Sequence, residues 1–187
     1  MKSMLEIRIH GRGGQGAKTA SQFIAESALG EDKFIQAFPE YGPERAGAPM
    51  KAYARISDNP ITVYSPVVSP DIVMVIDPTL LKLPDITDGL NESSILIINT
   101  PRSAEEIKKK IAFKGKIYTV DATKISIDTV GKNLPNTPML GALIKLSPFI
   151  KIDAIKNCIK SKFQKKLGEE KTNATIRGVD LAYAQVK

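Results

Sequence analysis

Four glycines fall within six positions near the N-terminus, in Gly11-Arg12-Gly13-Gly14-Gln15-Gly16. Glycine at that density permits positive φ and lets main-chain N–H groups come close to an anion. The spacing Gly11-x-Gly13-x-x-Gly16 is that of a dinucleotide phosphate loop, and no Gly-Lys-Ser/Thr ending follows, so it is not a Walker A loop. A phosphate here would also meet the positive end of the next helix. A tight turn with no ligand would use the same residues, so the motif alone leaves both readings open. A dinucleotide site also needs an acidic residue about 20 positions further on for the ribose. Asp32 and Glu40 lie in the region, but no apolar strand clearly ends at either. Other chemistry is sparse. A single cysteine, Cys158, excludes an intrachain disulfide and a cysteine metal site. A single histidine, His10, excludes a zinc cluster. Cys158 lies in a helical apolar pattern and is expected as a core thiol.

The elements that must position the loop follow from periodicity. Leu5, Ile7 and Ile9 alternate with polar residues and predict a strand over Glu6–Ile9. Thr19 to Leu29 predicts a helix that begins near Gly16. Lys33–Phe38 predicts a short strand, and Met50–Ser57 a half-buried one. Ile61–Tyr64 is expected as a hairpin partner across Asn59-Pro60. The continuous apolar runs Ile72–Ile76, Ile95–Ile98 and Ile117–Val120 fit parallel strands covered on both faces. Ser103 and Glu106 predict a capped helix over Ser103–Ile111. The last third is helical: one helix from Thr137 as cap with Pro138 first, one over Ile152–Lys166, and one over Thr172–Val186. The fold class is therefore α/β. It is a three-layer architecture on a mostly parallel sheet, with a glycine-rich first strand-to-helix turn, in one domain over residues 1–187. Between strands, Tyr41–Pro49 is too rich in Pro and Gly for a regular element and reads as a rigid loop that could carry binding residues.

Composition narrows the function classes. A chain of 187 residues with 42% hydrophobic and 25% charged content can bury a core without cross-links. No apolar run approaches the ~20 residues that span a membrane, and no signal peptide precedes the first strand, so a cytoplasmic compartment is expected. The net charge of +7 gathers in Lys108-Lys109-Lys110 and Lys160–Lys171. No nucleic-acid motif accompanies these lysines. They read as solvated helix faces, consistent with anionic ligands such as phosphates.

Three stretches, in this order, resemble one family. They are Gly11–Gly16, Tyr41-Gly42-Pro43-Glu44-Arg45-Ala46-Gly47-Ala48-Pro49, and Asn136-Thr137-x-Met139-Leu140-Gly141-Ala142. The chain is similar over nearly its whole length to the gamma subunits of 2-oxoacid:ferredoxin oxidoreductases, closest to the pyruvate branch. The resemblance implies a hetero-oligomeric enzyme that converts pyruvate, coenzyme A and oxidised ferredoxin to acetyl-CoA, carbon dioxide and reduced ferredoxin. Related branches act on 2-oxoisovalerate, 2-oxoglutarate or indolepyruvate. It further implies that coenzyme A meets this chain at Gly11, Arg12, Gly13, Gly14, Gln15, Gly16, Arg45, Asn136 and Asn173. Thiamine diphosphate, Mg2+ and [4Fe-4S] clusters are expected in the alpha, beta and ferredoxin-like delta partners only. One cysteine cannot ligate a cluster, and the thiamine motif is missing. The isolated chain is expected to be inactive and to join its partners through the Tyr41–Pro49 and Tyr64–Pro70 loops. No residue here is assigned to catalysis or to a metal. Outside the family, an NAD(P)-binding dehydrogenase is the competing reading, and a purely structural subunit with an empty turn is a third.

Overall fold

Leu5, Ile7 and Ile9 become the inward face of β1 (Met4–Arg12), and each is at most 5% exposed. The computed structural model describes residues 3–29, 32–40, 46–147 and 149–187. After β1 come α1 (Ala17–Ala28), β2 (Phe34–Glu40), β3 (Pro49–Ser57) and β4 (Ile72–Val75). Two 3-10 turns, Pro78–Lys82 and Pro84–Ile86, lead to β5 (Ile95–Asn99), α2 (Ala104–Lys108) and β6 (Lys116–Val120). The chain closes with α3 (Ala122–Val130), α4 (Asn136–Leu146), α5 (Ile152–Leu167) and α6 (Glu169–Gln185).

The six strands form one sheet in the order β2-β3-β1-β4-β5-β6. β1, β4, β5 and β6 are mutually parallel, while β3 runs antiparallel to both β1 and β2. A large core lies on one face, where Ile7, Ile9, Ile56 and Met74 meet Phe23, Ile24, Leu140, Leu143, Ile155 and Val179 of the helices. A smaller core on the other face joins Val73, Val75, Leu96 and Ile98 to Leu80, Ile86, Ile107 and Phe113. The architecture is thus three-layered, with a thick helical layer and a thin one. β1 sends α1 to the thick face, and its neighbour β4 sends the 3-10 turns to the thin face. Adjacent parallel strands whose connections diverge in this way leave a crevice at their carboxyl ends. The glycine turn sits there.

Three local expectations are corrected. Ile61–Tyr64 forms no strand. The buried Arg55 guanidinium donates to the carbonyls of Val63 and Ser65 and to the Gln36 side chain, and it pairs with Glu6 at 2.9 Å. Those carbonyls face a side chain instead of a ladder, and Pro60 and Pro66 lack the donors a hairpin needs. The first turn of α4 begins one residue earlier than Thr137: Asn136 is its first residue and Pro138 its third, with Met139 N–H closing the first bond to Pro135 O at 3.0 Å. First-turn N–H groups have no partner inside a helix, so proline is as acceptable at the third position as at the first. Cys158 is only half-buried, with its thiol 3.7 Å from Glu26. Burial and the Glu26 charge push its pKa up to about 11, which leaves it protonated and unreactive. α3 had no counterpart among the expected elements; Asp121, which ends the β6 run, caps it by accepting from Lys124 N–H.

Candidate functional site

The glycine turn has the conformation its composition demands. Gly14 and Gly16 have φ of +94° and +81°, the left-handed region that disfavours side chains. Gly16 is also the N-cap of α1, and no side chain caps that helix. Ala20 N–H bonds back to Gly16 O, so the N–H groups of Ala17, Lys18 and Thr19 precede the first intrahelical donor. No acidic residue lies in the first turn. Such an end is a set of free donors with a favourable dipole for an anion.

Asp77, just beyond β4, fixes this turn. Its carboxylate accepts from Gln15 Nε2 at 2.8 Å and Arg12 Nε at 3.1 Å on one oxygen, and from Thr79 N–H and hydroxyl on the other. Burial alone would raise the Asp77 carboxyl. The Thr79 hydroxyl, the Gln15 carboxamide, the Thr79 N–H and the Arg12 guanidinium together hold it below its ordinary value. Gln15 Oε1 also accepts from Arg12 N–H at 2.8 Å. Arg12 and Gln15 therefore point inward as struts. The described end of the proline-rich loop joins the same construction: Gly13 N–H donates to Ala48 O, Gly47 N–H to Gly13 O, and the Arg12 guanidinium to Gly47 O. Residues 46–49 thus lie at the same end of the sheet as the glycine turn, as expected. Tyr41 to Arg45 lie outside the described residues, Arg45 among them.

A cavity of about 460 Å³ opens beside the turn. Its floor is Gly14, Gln15, Gly16 and Asn136, its apolar wall includes Leu134, Pro138, Phe163 and Leu167, and Thr19, Thr129 and Thr175 add hydroxyls. This volume falls in the usual range for small-molecule sites. Asn136 packs directly on the helix start. A Cβ on Gly16 would come within 2.6 Å of its Nδ2. The Asn136 side chain makes no hydrogen bond to the described residues, although the residue is only 9% exposed. Of the residues singled out in sequence, the fold gathers Gly14, Gln15, Gly16 and Asn136 around one space. Gly11 stands behind the turn in β1, Gly13 pairs with the proline-rich loop, and Arg12 is committed to Asp77. Asn173 is exposed on α6, between Lys171 and Thr175, and those two line the cavity while it does not. The sequence pattern assigns no site role to Asp77 or Lys132, and it reads Lys171 only as part of the basic Lys160–Lys171 stretch. The only available signal for Asp77 was an acid at the carboxyl end of a parallel strand.

His10 lies on the opposite face of the sheet and is 2% exposed. Its Nε2 accepts from Arg8 Nε at 3.0 Å, and Arg8 in turn donates to the carbonyls of Asp85, Ile86 and Asp88. Burial, followed by the Arg8 charge, pushes the imidazole down to about 3 from an ordinary 6.5. Neutral at working pH, it supports the 3-10 turns. As pH falls through 6.5 the unfolded chain takes up this proton before the folded one does, so stability drops between pH 6.5 and pH 3. We expect about 2.5 kcal/mol to be lost from this group between pH 7 and pH 4.5. His10→Gln should flatten that slope in urea melts at the two pH values; an unaltered slope would assign the acid sensitivity to other groups. The space of about 220 Å³ beside His10 is lined by Glu40, Lys51 and Asp85 among others; Lys51 pairs with Asp85 at 2.9 Å, and Glu40 accepts from Tyr53. Glu40 is therefore engaged away from the glycine turn.

No helix among the described residues is long and apolar enough to cross a membrane. The model of the pyruvate ferredoxin/flavodoxin oxidoreductase family matches residues 6–185. The chain is 50% identical over 186 residues to pyruvate synthase subunit PorC of Thermotoga maritima, covering 100% of this chain and 96% of that one. It is 46% identical to the common gamma subunit of the pyruvate/ketoisovalerate oxidoreductases of Pyrococcus abyssi, covering 91% of this chain and 93% of that one. The crystal structure of the Thermotoga maritima subunit superposes with a TM-score of 0.90 at 46% identity, covering 100% and 98% of the two chains. The fold recurs within a longer chain of the 2-oxoglutarate:ferredoxin oxidoreductase of Magnetococcus marinus, solved with 2-oxoglutarate, coenzyme A and succinyl-CoA bound. There the TM-score is 0.82 and the identity 20%, over 98% of this chain and 31% of that one. With matched residues spanning both the glycine turn and the Asn136 helix, the chain belongs to the pyruvate ferredoxin/flavodoxin oxidoreductase family, as a gamma-subunit (PorC-type) member.

Proposed function

We propose that this chain is the gamma subunit of a cytoplasmic pyruvate:ferredoxin oxidoreductase, and that it binds the nucleotide end of coenzyme A in the cavity beside Gly16. The observation that carries this reading is the uncapped start of α1, with Gly16 at φ +81° and Asn136 against it, opening into a cavity whose lining includes no carboxylate. A pyrophosphate fits the free first-turn N–H groups. The Asn136 carboxamide supplies a further donor and acceptor at the same point. The apolar wall of Leu134, Pro138, Phe163 and Leu167 suits an adenine ring. An NAD(P) reading is weaker. The strand after α1 is an outer strand, separated from β1 by β3, and its terminal acid Glu40 bonds Tyr53.

The chemistry of decarboxylation and electron transfer belongs to groups this chain does not fit. One cysteine cannot hold an iron–sulfur cluster, and among the described residues no cluster of His, Cys, Asp or Glu could hold a metal ion. Thiamine diphosphate with Mg2+ and [4Fe-4S] clusters are assigned to alpha, beta and delta partners, with ferredoxin as acceptor. This chain's own part is to bind coenzyme A, orient it and present its thiol toward a partner's site. The segment after Arg55 is a candidate assembly surface: Tyr64 and Val68 are 81% and 74% exposed, while Val67 between them is buried. Holding that backbone through the Arg55 guanidinium lowers the entropy lost on docking.

Mixing purified chains tests the reading. The isolated chain should reduce no viologen dye in the presence of pyruvate and coenzyme A, and the partners should regain pyruvate-dependent reduction only when it is added. Dye reduction by this chain alone, or full activity of the partners without it, would overturn the assignment.

A further inference from the structure

Two lysines stand on the cavity with no carboxylate to answer them. Lys132 follows Gly131, the left-handed residue that ends α3, and its main chain is pinned: the fully buried Ser126 hydroxyl donates to Lys132 O and accepts from Leu134 N–H. Lys171 lies in the first turn of α6, just before Thr172, whose hydroxyl bonds Gly168 O at 2.7 Å. Both line the cavity, with Phe163 and Leu167 of α5 on the same wall. Neither makes an ion pair among the described residues. Lys33, Lys51, Lys124, Lys156 and Lys162 pair with Asp or Glu, whereas Lys132 and Lys171 are the lysines that line this cavity. No acid lines the cavity they share.

Two chemically different anion partners line the one cavity. The floor offers main-chain N–H groups at Gly16 and the start of α1, which suit a linear pyrophosphate that passes close to the backbone. Lys132 and Lys171 add two flexible full charges to the same lining. A terminal phosphate monoester, free to turn and carrying close to two negative charges, is better matched by ammonium groups than by N–H dipoles. Resting on the coenzyme A reading above, we infer that Lys132 and Lys171 form the recognition site for the ribose 3′-phosphate, so that the cavity selects coenzyme A over its 3′-dephospho form. Lys132 lies just past the end of α3 and Lys171 in the first turn of α6. The 3′-phosphate therefore ties those elements together while the pyrophosphate holds α1.

The test is calorimetric titration of the assembled complex with coenzyme A and with 3′-dephospho-CoA, repeated for Lys132→Met, Lys171→Met and the double variant. The native complex should bind coenzyme A at least about tenfold more tightly than the dephospho form, the scale of one charge-assisted contact. Each single change should lower the preference, and the double variant should bring the ratio near one while dephospho-CoA affinity stays put. Raising the salt should erode the native preference, because exposed charges are screened. Lys124→Met, on the outer side of α3 and paired with Asp128, is the control and should leave the ratio unchanged. Equal losses for both ligands would place the lysines on the pyrophosphate and overturn the inference. So would a double variant that keeps the native ratio. Titrating Gly16→Val separates this from the parent reading: if that change spares coenzyme A binding, the cavity itself is the wrong site; if it abolishes binding while the lysine variants discriminate normally, only the lysine assignment fails.

Discussion

Gly16→Val should raise the KM for coenzyme A in the assembled enzyme by about hundredfold. Two effects combine. A Cβ at this position would lie 2.6 Å from Asn136 Nδ2 and 2.8 Å from its Cγ, so the carboxamide must leave the helix start. The side chain would also stand where a phosphate approaches the first-turn N–H groups. Losing two such contacts, at about 1.5 kcal/mol each, corresponds to roughly a hundredfold. Strain from φ +81° at a non-glycine residue costs on the order of 2 kcal/mol. That is well inside the stability of a domain this size, so the variant should still fold and co-purify with its partners. Steady-state kinetics at saturating pyruvate decide the matter. An unchanged KM in a folded, assembled variant would exclude ligand contact at the turn.

Gly141→Ala should unfold the chain roughly 10 °C below the native protein. Gly141 lies where α4 crosses α6. A Cβ there would sit 2.1 Å from Val179 O and 3.1 Å from Tyr183 N, main-chain atoms that move only if the whole helix moves. Forced separation of two packed helices costs about 3 kcal/mol. The better helix propensity of alanine returns less than about 1 kcal/mol of that. At this chain length a net loss of a few kcal/mol moves Tm by several degrees or more. Gly178→Ala is the contrast. Its Cβ would be 3.2 Å from Thr129 Oγ1, on a side chain that can shift, and in ordinary contact at 3.4 Å with Pro138 Cγ, and its Tm should stay close to native. The crossing also places Asn136 at the cavity, one end of the same helix, so Gly141→Ala should weaken coenzyme A binding along with stability. Calorimetric melts of the two variants, side by side, check the distinction. Equal melting temperatures would mean that α4 and α6 are free to part.

The local rules of the chain were enough to place most elements. Alternation at Leu5, Ile7 and Ile9 and the unbroken apolar runs at Ile72, Ile95 and Ile117 mark strands, because the pleat repeats every two residues and a sheet covered on both sides needs both faces apolar. The capping box of Ser103 and Glu106 is present as read. Four closely spaced glycines announce a turn whose torsions only glycine takes without strain. Where expectation and structure part, the deciding partner is distant. Ile61–Tyr64 has the composition of a strand, but Arg55, buried in β3, takes its carbonyls. Arg12 and Gln15 sit inside the phosphate-like motif and could each have faced a ligand. Asp77, 62 positions beyond Gln15, turns both inward. Asn173 and Lys171 are two residues apart on one helix, and only the packing of α6 against α3 and α4 decides which of them meets the cavity. A sequence specifies side-chain period and backbone freedom locally. Which polar groups share a space depends on long-range pairing, and that is settled only when the sheet order β2-β3-β1-β4-β5-β6 brings Gly16, Asn136, Lys132 and Lys171 to one end of the fold.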